Sequence, residues 1–375
     1  MNEVRISKVR KKLKEAGLDG VFISSPVNCF YLTNFEKPSG DFRAIQLLIT
    51  PSQIYILTNP LYEGSVRNWL PTPSARGRLA NPHEIRIIVT SARRGLIENL
   101  RDLAGKNKIK ALGFEAKDLR LTEYLKIKSS LKEVDLLAAD DIFTDLRKIK
   151  DENEINSHSE AARITDLAFR QILKILKAGL TEKEVAAEID YLLRKNGADG
   201  SAFETIVAGG PNSAIPHHKT GDRKIKSNEI VLLDFGARFG GYCSDMTRVV
   251  ALGKVKKEVR DAYQEVLRSQ ETALAKIKPG MSGREADEVA RRQLRGQKLA
   301  KYFIHNLGHN IGLNIHEPPS LGPRDPEKIE EGMVFSVEPG VYFNGKFGIR
   351  IEDTVVARKN GLELLTHSPK DLLEL

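Results

Sequence analysis

Cysteine is scarce in this 375-residue chain: Cys29 and Cys243 lie in different halves, and neither belongs to a Cys-x-x-Cys pair. That excludes a disulfide framework and makes a reducing compartment, the cytoplasm, the expected location. Long apolar runs are missing as well. None approaches the ~20 residues needed to span a bilayer, and Met1-Asn2-Glu3-Val4-Arg5 leads into an amphipathic helix rather than a signal peptide. A membrane is therefore not an expected partner. The formal net charge is +9, yet no continuous basic stripe accompanies it. The 59 Lys and Arg are mixed with 50 Asp and Glu, and short runs such as Arg10-Lys11-Lys12 read as solvated helix faces. Nucleic acid is not an expected partner either.

What is present is enough apolar material, 41% of the residues, to build the cores of two domains. Residues 1–145 alternate helices with short apolar runs. Ile6 to Ala16 predicts a helix closed by Gly17, and Val21–Ile23 a strand. Ala44–Thr50 and Ile54–Thr58 predict a hairpin around Pro51-Ser52-Gln53, with further strands at Ile85–Thr90 and Ala111–Phe114 and a helix between them. This is an α/β domain. Charge becomes dense from Asp140 to Glu154, which places a boundary near 145. Residues 146–375 open on long helices, the first predicted from Ile155 to Lys177.

A weak repeat runs through this second region. Lys177-Ala-Gly-Leu-Thr181-Glu-Lys-Glu184 resembles Lys278-Pro-Gly-Met-Ser282-Gly-Arg-Glu285, at an offset of 278 − 177 = 101. Both segments follow a long helix and open another with a capping box. Capped helices often look alike; a duplicated fold with its halves facing one site is the sharper reading, and His217 and His316, 316 − 217 = 99 apart, favour it. After each capped helix come strand signals. Glu229–Asp234 and Tyr242–Leu252 read as a hairpin around Phe239-Gly240-Gly241, and Met333–Glu338 and Ile349–Ala357 as two strands with Asn344-Gly345 as the turn.

Four acids sit at the ends of these apolar strands: Asp234, Asp245, Glu338 and Glu352. Asp234 and Asp245 could face each other across the hairpin. A single acid beside a glycine is often only a turn residue. Four of them, without four basic partners in sequence, call for cations, because an unpaired buried carboxylate costs several kcal/mol. His309 in Leu307-Gly308-His309-Asn310 adds an imidazole, which points to a transition metal rather than Ca²⁺ or Mg²⁺. His305, four residues earlier, does not share a helix with it because Gly308 intervenes, and reads as a supporting residue. His83, His158 and His367 have no such company. His217 and His316, in loops at related points of the repeat, are candidates for proton work beside a metal site.

In this order and spacing the residues resemble the Xaa-Pro aminopeptidase/prolidase family, which shares the pitta-bread fold with methionine aminopeptidase and creatinase. The resemblance rests on Asp234-Phe-Gly236, Ser244-Asp245-Met-Thr-Arg248, Gly308-His309, Ile315-His316-Glu317, Val337-Glu338-Pro-Gly340 and Arg350-Ile-Glu352-Asp353. It implies an α+β chain: a creatinase-type α/β domain at 1–145 and a pitta-bread metallopeptidase domain at 146–375. It implies two divalent ions, Mn²⁺ or Co²⁺ before Zn²⁺. Asp234 would hold one ion, His309 and Glu338 the other, and Asp245 and Glu352 would bridge them. Glu338 would accept the proton of a bridging water. His217 and His316 would contact the substrate and the tetrahedral intermediate, Arg350 would lie beside the site, and Phe203 would line the pocket. The implied substrates are short peptides with proline second, and the implied assembly is a homodimer.

Two departures from the family pattern stand out. Asn310 follows His309 where Gly is common, and Ser320 stands where many dipeptidases carry an arginine for the product carboxylate, which tilts the expectation towards an aminopeptidase. A non-catalytic peptide-binding protein on the same fold is the alternative. It and a creatinase-like amidinohydrolase should both lack the five ligands, and a methionine aminopeptidase suits the N-terminal domain and the Ile215-Pro-His217 loop poorly.

Overall fold

The computed structural model describes residues 1–35, 43–70 and 85–375. They divide into two compact units, Met1–Leu146 and Arg147–Leu375; His83 lies outside the described residues. In the first unit a six-stranded sheet runs in the order β4-β3-β2-β1-β5-β6. Its strands are β1 (Gly20–Ile23), β2 (Ile45–Ile49), β3 (Ile54–Thr58), β4 (Ile85–Val89), β5 (Ala111–Phe114) and β6 (Asp135–Ala138). The helices are α1 (Glu3–Glu15), α2 (Pro26–Thr33), α3 (Pro60–Trp69), α4 (Leu96–Lys106), α5 (Leu121–Ser130) and α6 (Asp140–Lys148), whose last two residues, Arg147 and Lys148, belong to the second unit. β1 and β3 are buried throughout and apolar but for Thr58 at the end of β3, as strands covered on both faces must be. The β2–β3 hairpin forms at the anticipated turn, where Thr50 Oγ1 accepts from the Gln53 N–H at 2.9 Å. α1 ends as expected at Gly17, whose φ of +66° suits glycine.

The second unit is built twice over. Its helices are α7 (Glu152–Ile172), α8 (Glu182–Lys195), α9 (Lys257–Lys276) and α10 (Gly283–Gly296). Its strands are β7 (Gly200–Ser201), β8 (Ile206–Gly209), β9 (Glu229–Phe235), β10 (Ala237–Phe239), β11 (Tyr242–Cys243), β12 (Met246–Leu252), β13 (Gly308–Asn310), β14 (Glu317–Leu321), β15 (Val334–Val337), β16 (Gly340–Phe343), β17 (Phe347–Arg350), β18 (Asp353–Arg358), β19 (Gly361–Leu364) and β20 (Leu373–Glu374). Each half packs a long helix and a capped helix against an antiparallel trio, β8-β9-β12 in the first and β13-β15-β18 in the second.

The repeat extends to backbone hydrogen bonds. Thr181 and Ser282 each cap a helix in a capping box with Glu184 and Glu285. Each also bridges to a later strand-like segment, Thr181 to Lys224 and Ser282 to Lys328. Gly179 N–H donates to Ile225 O at 2.9 Å, and Gly280 N–H donates to Ile329 O at 2.8 Å. Chance similarity between two capped helices would not reproduce these flanking bonds.

Three local expectations need correction. α7 begins three residues early, because Asp151 and Glu154 form a capping box, and ends at Ile172 rather than Lys177. There the chain tightens into i→i+3 bonds, Lys174 to Gln171 and Ile175 to Ile172. The β9–β12 hairpin holds a second, shorter hairpin, β10–β11, inside it. Likewise Asn344-Gly345 turns β16 into β17, so four strands stand where two were expected. Finally, the residue opposite Asp234 is Thr247, and Asp245 lies just before β12 begins.

His158 on α7 is fully buried beside Tyr242, and its Nδ1 sits 2.7 Å from the carbonyl of Cys243, two residues before Asp245. Burial, aided by Lys150, lowers its pKa to about 3. A folded value below the unfolded ~6.5 means that its contribution is complete above pH 6.5 and is lost as pH falls towards 3. Between pH 7.5 and 5 the wild-type chain should therefore lose about 2 kcal/mol more unfolding free energy than His158→Gln. Urea titrations at both pH values measure this; equal losses in the two proteins would show that His158 is not held neutral.

Candidate active site

The duplication explains why four acids meet. In each half, one acid lies at the exit of the outgoing strand and one at the entry of the returning strand. Asp234 is the sixth residue of β9, and Asp245 immediately precedes β12. Glu338 follows β15, and Glu352 immediately precedes β18. His309 comes from β13, a short strand rather than a helix. A Cβ at Gly308 would overlap the carbonyl of Ser336, so only glycine lets these strands approach so closely.

Every residue singled out from the sequence reaches one cavity of about 820 Å³: Phe203, His217, Asp234, Asp245, His309, His316, Glu338, Arg350 and Glu352 all line it. Ligating atoms of Asp245, His309 and Glu352 lie within 4.8 Å of one another. His309 Nε2 is 3.6 Å from Asp245 and 3.4 Å from Glu338. The His316 ring lies against that of His309, with centroids 4.1 Å apart and the planes tilted by 50°. Asp234 is ion-paired with Arg350.

The electrostatics are those of a site short of cations. Among the cavity's acids, Asp234, Asp245, Glu338 and Glu352 cluster around the single guanidinium of Arg350, three more negative charges than positive if all are ionised. Burial, then Glu352, Asp234 and Glu338, raise the Asp245 carboxyl well above the usual range. Burial, then Glu338 and Asp234, do the same to Glu352. Burial raises Glu338 to about 7 against the pull of Arg350. Burial also lowers His309 to about 4, which keeps its imidazole neutral and fit to ligate. One oxygen each of Asp234, Asp245 and Glu352 is buried without a hydrogen-bond partner. Native structures seldom leave such atoms unmatched. Three on neighbouring acids, beside a neutral imidazole, form an O/N donor set that fits divalent transition metals.

Around these residues lies a scaffold the motifs did not reveal. Thr247 Oγ1 donates to Glu352 at 2.5 Å and accepts from Arg350 Nε at 3.0 Å. Arg350 Nη1 also donates to the buried hydroxyl of Tyr342 at 2.7 Å. Ser336 Oγ donates to Glu338 at 3.0 Å. His305, expected to be a supporting residue, lines the cavity with its Nε2 2.9 Å from Tyr342 Oη. Thr247 lies in the quoted Asp245–Arg248 motif, so its position was a signal; Tyr342 and Ser336 carried none. Asn310 is buried and donates to the Pro318 carbonyl at 3.1 Å, so it braces the His316 loop and leaves His309 in place.

Residues 156–359 match the model of metallopeptidase family M24, and residues 5–149 match the creatinase/prolidase N-terminal domain. The chain is 34% identical to the Xaa-Pro dipeptidase of Pyrococcus furiosus, over 98% of this chain and 99% of that one. It superposes on the Xaa-Pro dipeptidase from Bacillus anthracis with a TM-score of 0.91 and 34% identity, covering 100% and 99% of the two chains. The X-Pro aminopeptidase from Thermotoga maritima MSB8 gives a TM-score of 0.87 and 34% identity, covering 99% of each chain.

The charge imbalance has a direct consequence. Glu352, with its carboxyl held well above the usual range, contributes stability only at low pH, and its ionised form opposes folding at pH 8. In a chelated sample at pH 8, Glu352→Gln should therefore melt above wild type, by about 2–4 °C per kcal/mol of relieved repulsion. With added Mn²⁺ the order should reverse. A variant that melts below wild type in both conditions would refute the cation-deficient reading.

Proposed function

The chain belongs to metallopeptidase family M24, and from that premise we propose that it hydrolyses the bond between an N-terminal residue and proline in short peptides. The observation that carries the proposal is the set of three unmatched, buried carboxylate oxygens beside His309 in a peptide-sized cavity. Asp234 would hold one ion, His309 and Glu338 the other, and Asp245 and Glu352 would be shared; Mn²⁺ or Co²⁺ suits this set, with Zn²⁺ as the third choice. When bound, the ions supply an acidified water as nucleophile near neutral pH and a Lewis acid for the scissile carbonyl.

The remaining work falls to side chains. Glu338 accepts the proton of the attacking water and returns it to the departing imino nitrogen as the C–N bond breaks. His217 and His316, both exposed on the cavity wall, donate N–H groups to the developing oxyanion. Arg350 keeps Asp234 oriented while Tyr342 and Thr247 keep Arg350 in place. Phe203, with Ile206, offers apolar wall to the substrate. Proline supplies no N–H for a protease to grip, so recognition by metal, oxyanion donors and apolar wall suits it.

Ser320 bears on peptide length. Its N–H and Oγ–H both donate to Asp325, at 2.9 and 3.2 Å, and Asp325 lines the same cavity with Glu327, which is ion-paired with Lys148. With Ser320 bound to an acid and no arginine at this position, the free carboxylate of a dipeptide lacks a partner there, so we propose the aminopeptidase type, with longer peptides preferred. A homodimer follows from the resemblance. The two cysteines, buried and unpaired, accord with a cytoplasmic location.

Hydrolysis of Ala-Pro beside Ala-Pro-Ala, with Mn²⁺ or Co²⁺ and a chelated control, tests the assignment. Metal-dependent cleavage with the tripeptide preferred is expected; cleavage of the dipeptide alone would make the chain a dipeptidase, and cleavage of neither would return it to a peptide-binding role. Asp245→Asn should abolish turnover, whereas His217→Ala should lower it with bound metal unchanged. Loss of metal from the His217 variant would make that residue a ligand instead.

A further inference from the structure

The loop that presents His217 is tied down from behind by a buried acid. Glu182 is the first residue of α8, and its side chain is completely buried, whereas Glu184 two residues on is exposed as first-turn glutamates usually are. Its Oε1 accepts from the Gly209 N–H at 2.8 Å and from Asn212 Nδ2 at 2.9 Å. Its Oε2 accepts from His218 Nε2–H at 2.9 Å and from the Gly221 N–H at 3.4 Å. All four donors belong to the stretch Gly209–Gly221, which contains Pro216 and His217. The opposite side of the stretch is held by β17: Ser213 Oγ accepts from the Gly348 N–H at 2.8 Å, and the Pro216 carbonyl accepts from Arg350 Nη1 at 3.4 Å. Between these two ties His217 stands in the cavity.

We infer that Glu182, working through His218 and the Gly209 and Gly221 amides, is a positioning residue for His217. The inference rests on the reading that His217 serves hydrolysis. A fully buried carboxylate is tolerated only when its lone pairs are matched, and here each oxygen has two donors. A neutral amide of the same shape would offer an acceptor at one end only and would turn N–H groups against the donors at the other. The loop would then lose two of its four ties. The other histidine loop also meets a buried glutamate: Glu317, ion-paired with Arg147 and itself lining the cavity, accepts from the Asn314 N–H at 3.0 Å, beside His316. The two glutamates are unrelated by the repeat, one opening a helix and the other opening β14. A buried glutamate thus ties each histidine loop, Glu182 through four donors of its loop and Glu317 through one.

A double-mutant cycle on the full-length, Mn²⁺-loaded enzyme separates positioning from general stabilisation. Glu182→Gln should lower kcat/KM for Ala-Pro-Ala by about tenfold or more, in line with the ~10²-fold effect of ångström-scale misplacement. The fall should lie chiefly in kcat, with bound metal unchanged. In a His217→Ala background the same change should do nothing beyond about twofold. Equal losses in both backgrounds, or no loss from Glu182→Gln alone, would overturn the inference, as would a His217→Ala enzyme with wild-type turnover. If Glu182→Gln fails to fold, His218→Gln enters the same cycle, with a loss of about threefold expected, again absent without His217. If the wild-type protein cleaves no Xaa-Pro peptide, the functional reading fails separately, and hydrogen exchange decides the positioning. Amides of Gly209–Gly221 should exchange faster in Glu182→Gln, and unchanged exchange would overturn it.

Discussion

The second unit is organised around four carboxylates held out of water with one guanidinium among them. Left as they stand, these groups oppose folding: each raises its neighbours' affinity for protons, and three of their oxygens have no partner. Much of what surrounds them counters that tension. Arg350 neutralises Asp234 and is itself fixed by Thr247 and Tyr342. Thr354 grips Asp245 from both sides, its hydroxyl accepting from the Asp245 N–H at 2.9 Å and donating to the Asp245 carbonyl at 2.7 Å. Asp353, next to Glu352, is buried against Arg248, Gln270 and Lys370, which anchors the start of β18. The segments that carry the acids are thus anchored by the protein's own groups, and preorganisation of this kind is what metal sites require.

Duplication supplies the geometry cheaply. One hairpin can bring two acids to one end, the first where a strand leaves the sheet and the second where its partner returns. Two hairpins from two copies of the same helix–helix–sheet unit bring four. The flanking loops then become the natural place for proton donors, since each precedes its hairpin in the chain. His217 and His316 occupy those loops, and a buried glutamate steadies each of them.

Much of this was legible in the sequence, for reasons that can be named. Asp234, Asp245, Glu338 and Glu352 each stand at the end of an apolar strand, and an acid in such a place is visible without a structure. The capping boxes at Thr181 and Ser282 exposed the repeat because they combine a local bond pattern with a fixed spacing. Less legible was anything decided by register. Asp245 was expected opposite Asp234, but Thr247 takes that place, since the inner β10–β11 hairpin changes where the returning strand begins. Tyr342, Ser336 and Glu182 were passed over because their importance lies in what they touch: an aromatic residue, a serine and a helix glutamate look ordinary in sequence. The early end of α7 at Ile172 follows from tight local turns that periodicity does not register.

The central claim is that this cluster exists to hold a pair of divalent ions. Anomalous diffraction at the manganese edge, from crystals of the chain grown with Mn²⁺, tests it most directly. Two peaks are expected, both within ligating distance of Asp245 and Glu352, with His309 and Glu338 on one and Asp234 on the other. A single peak, or manganese elsewhere while the carboxylates remain unliganded, would contradict it.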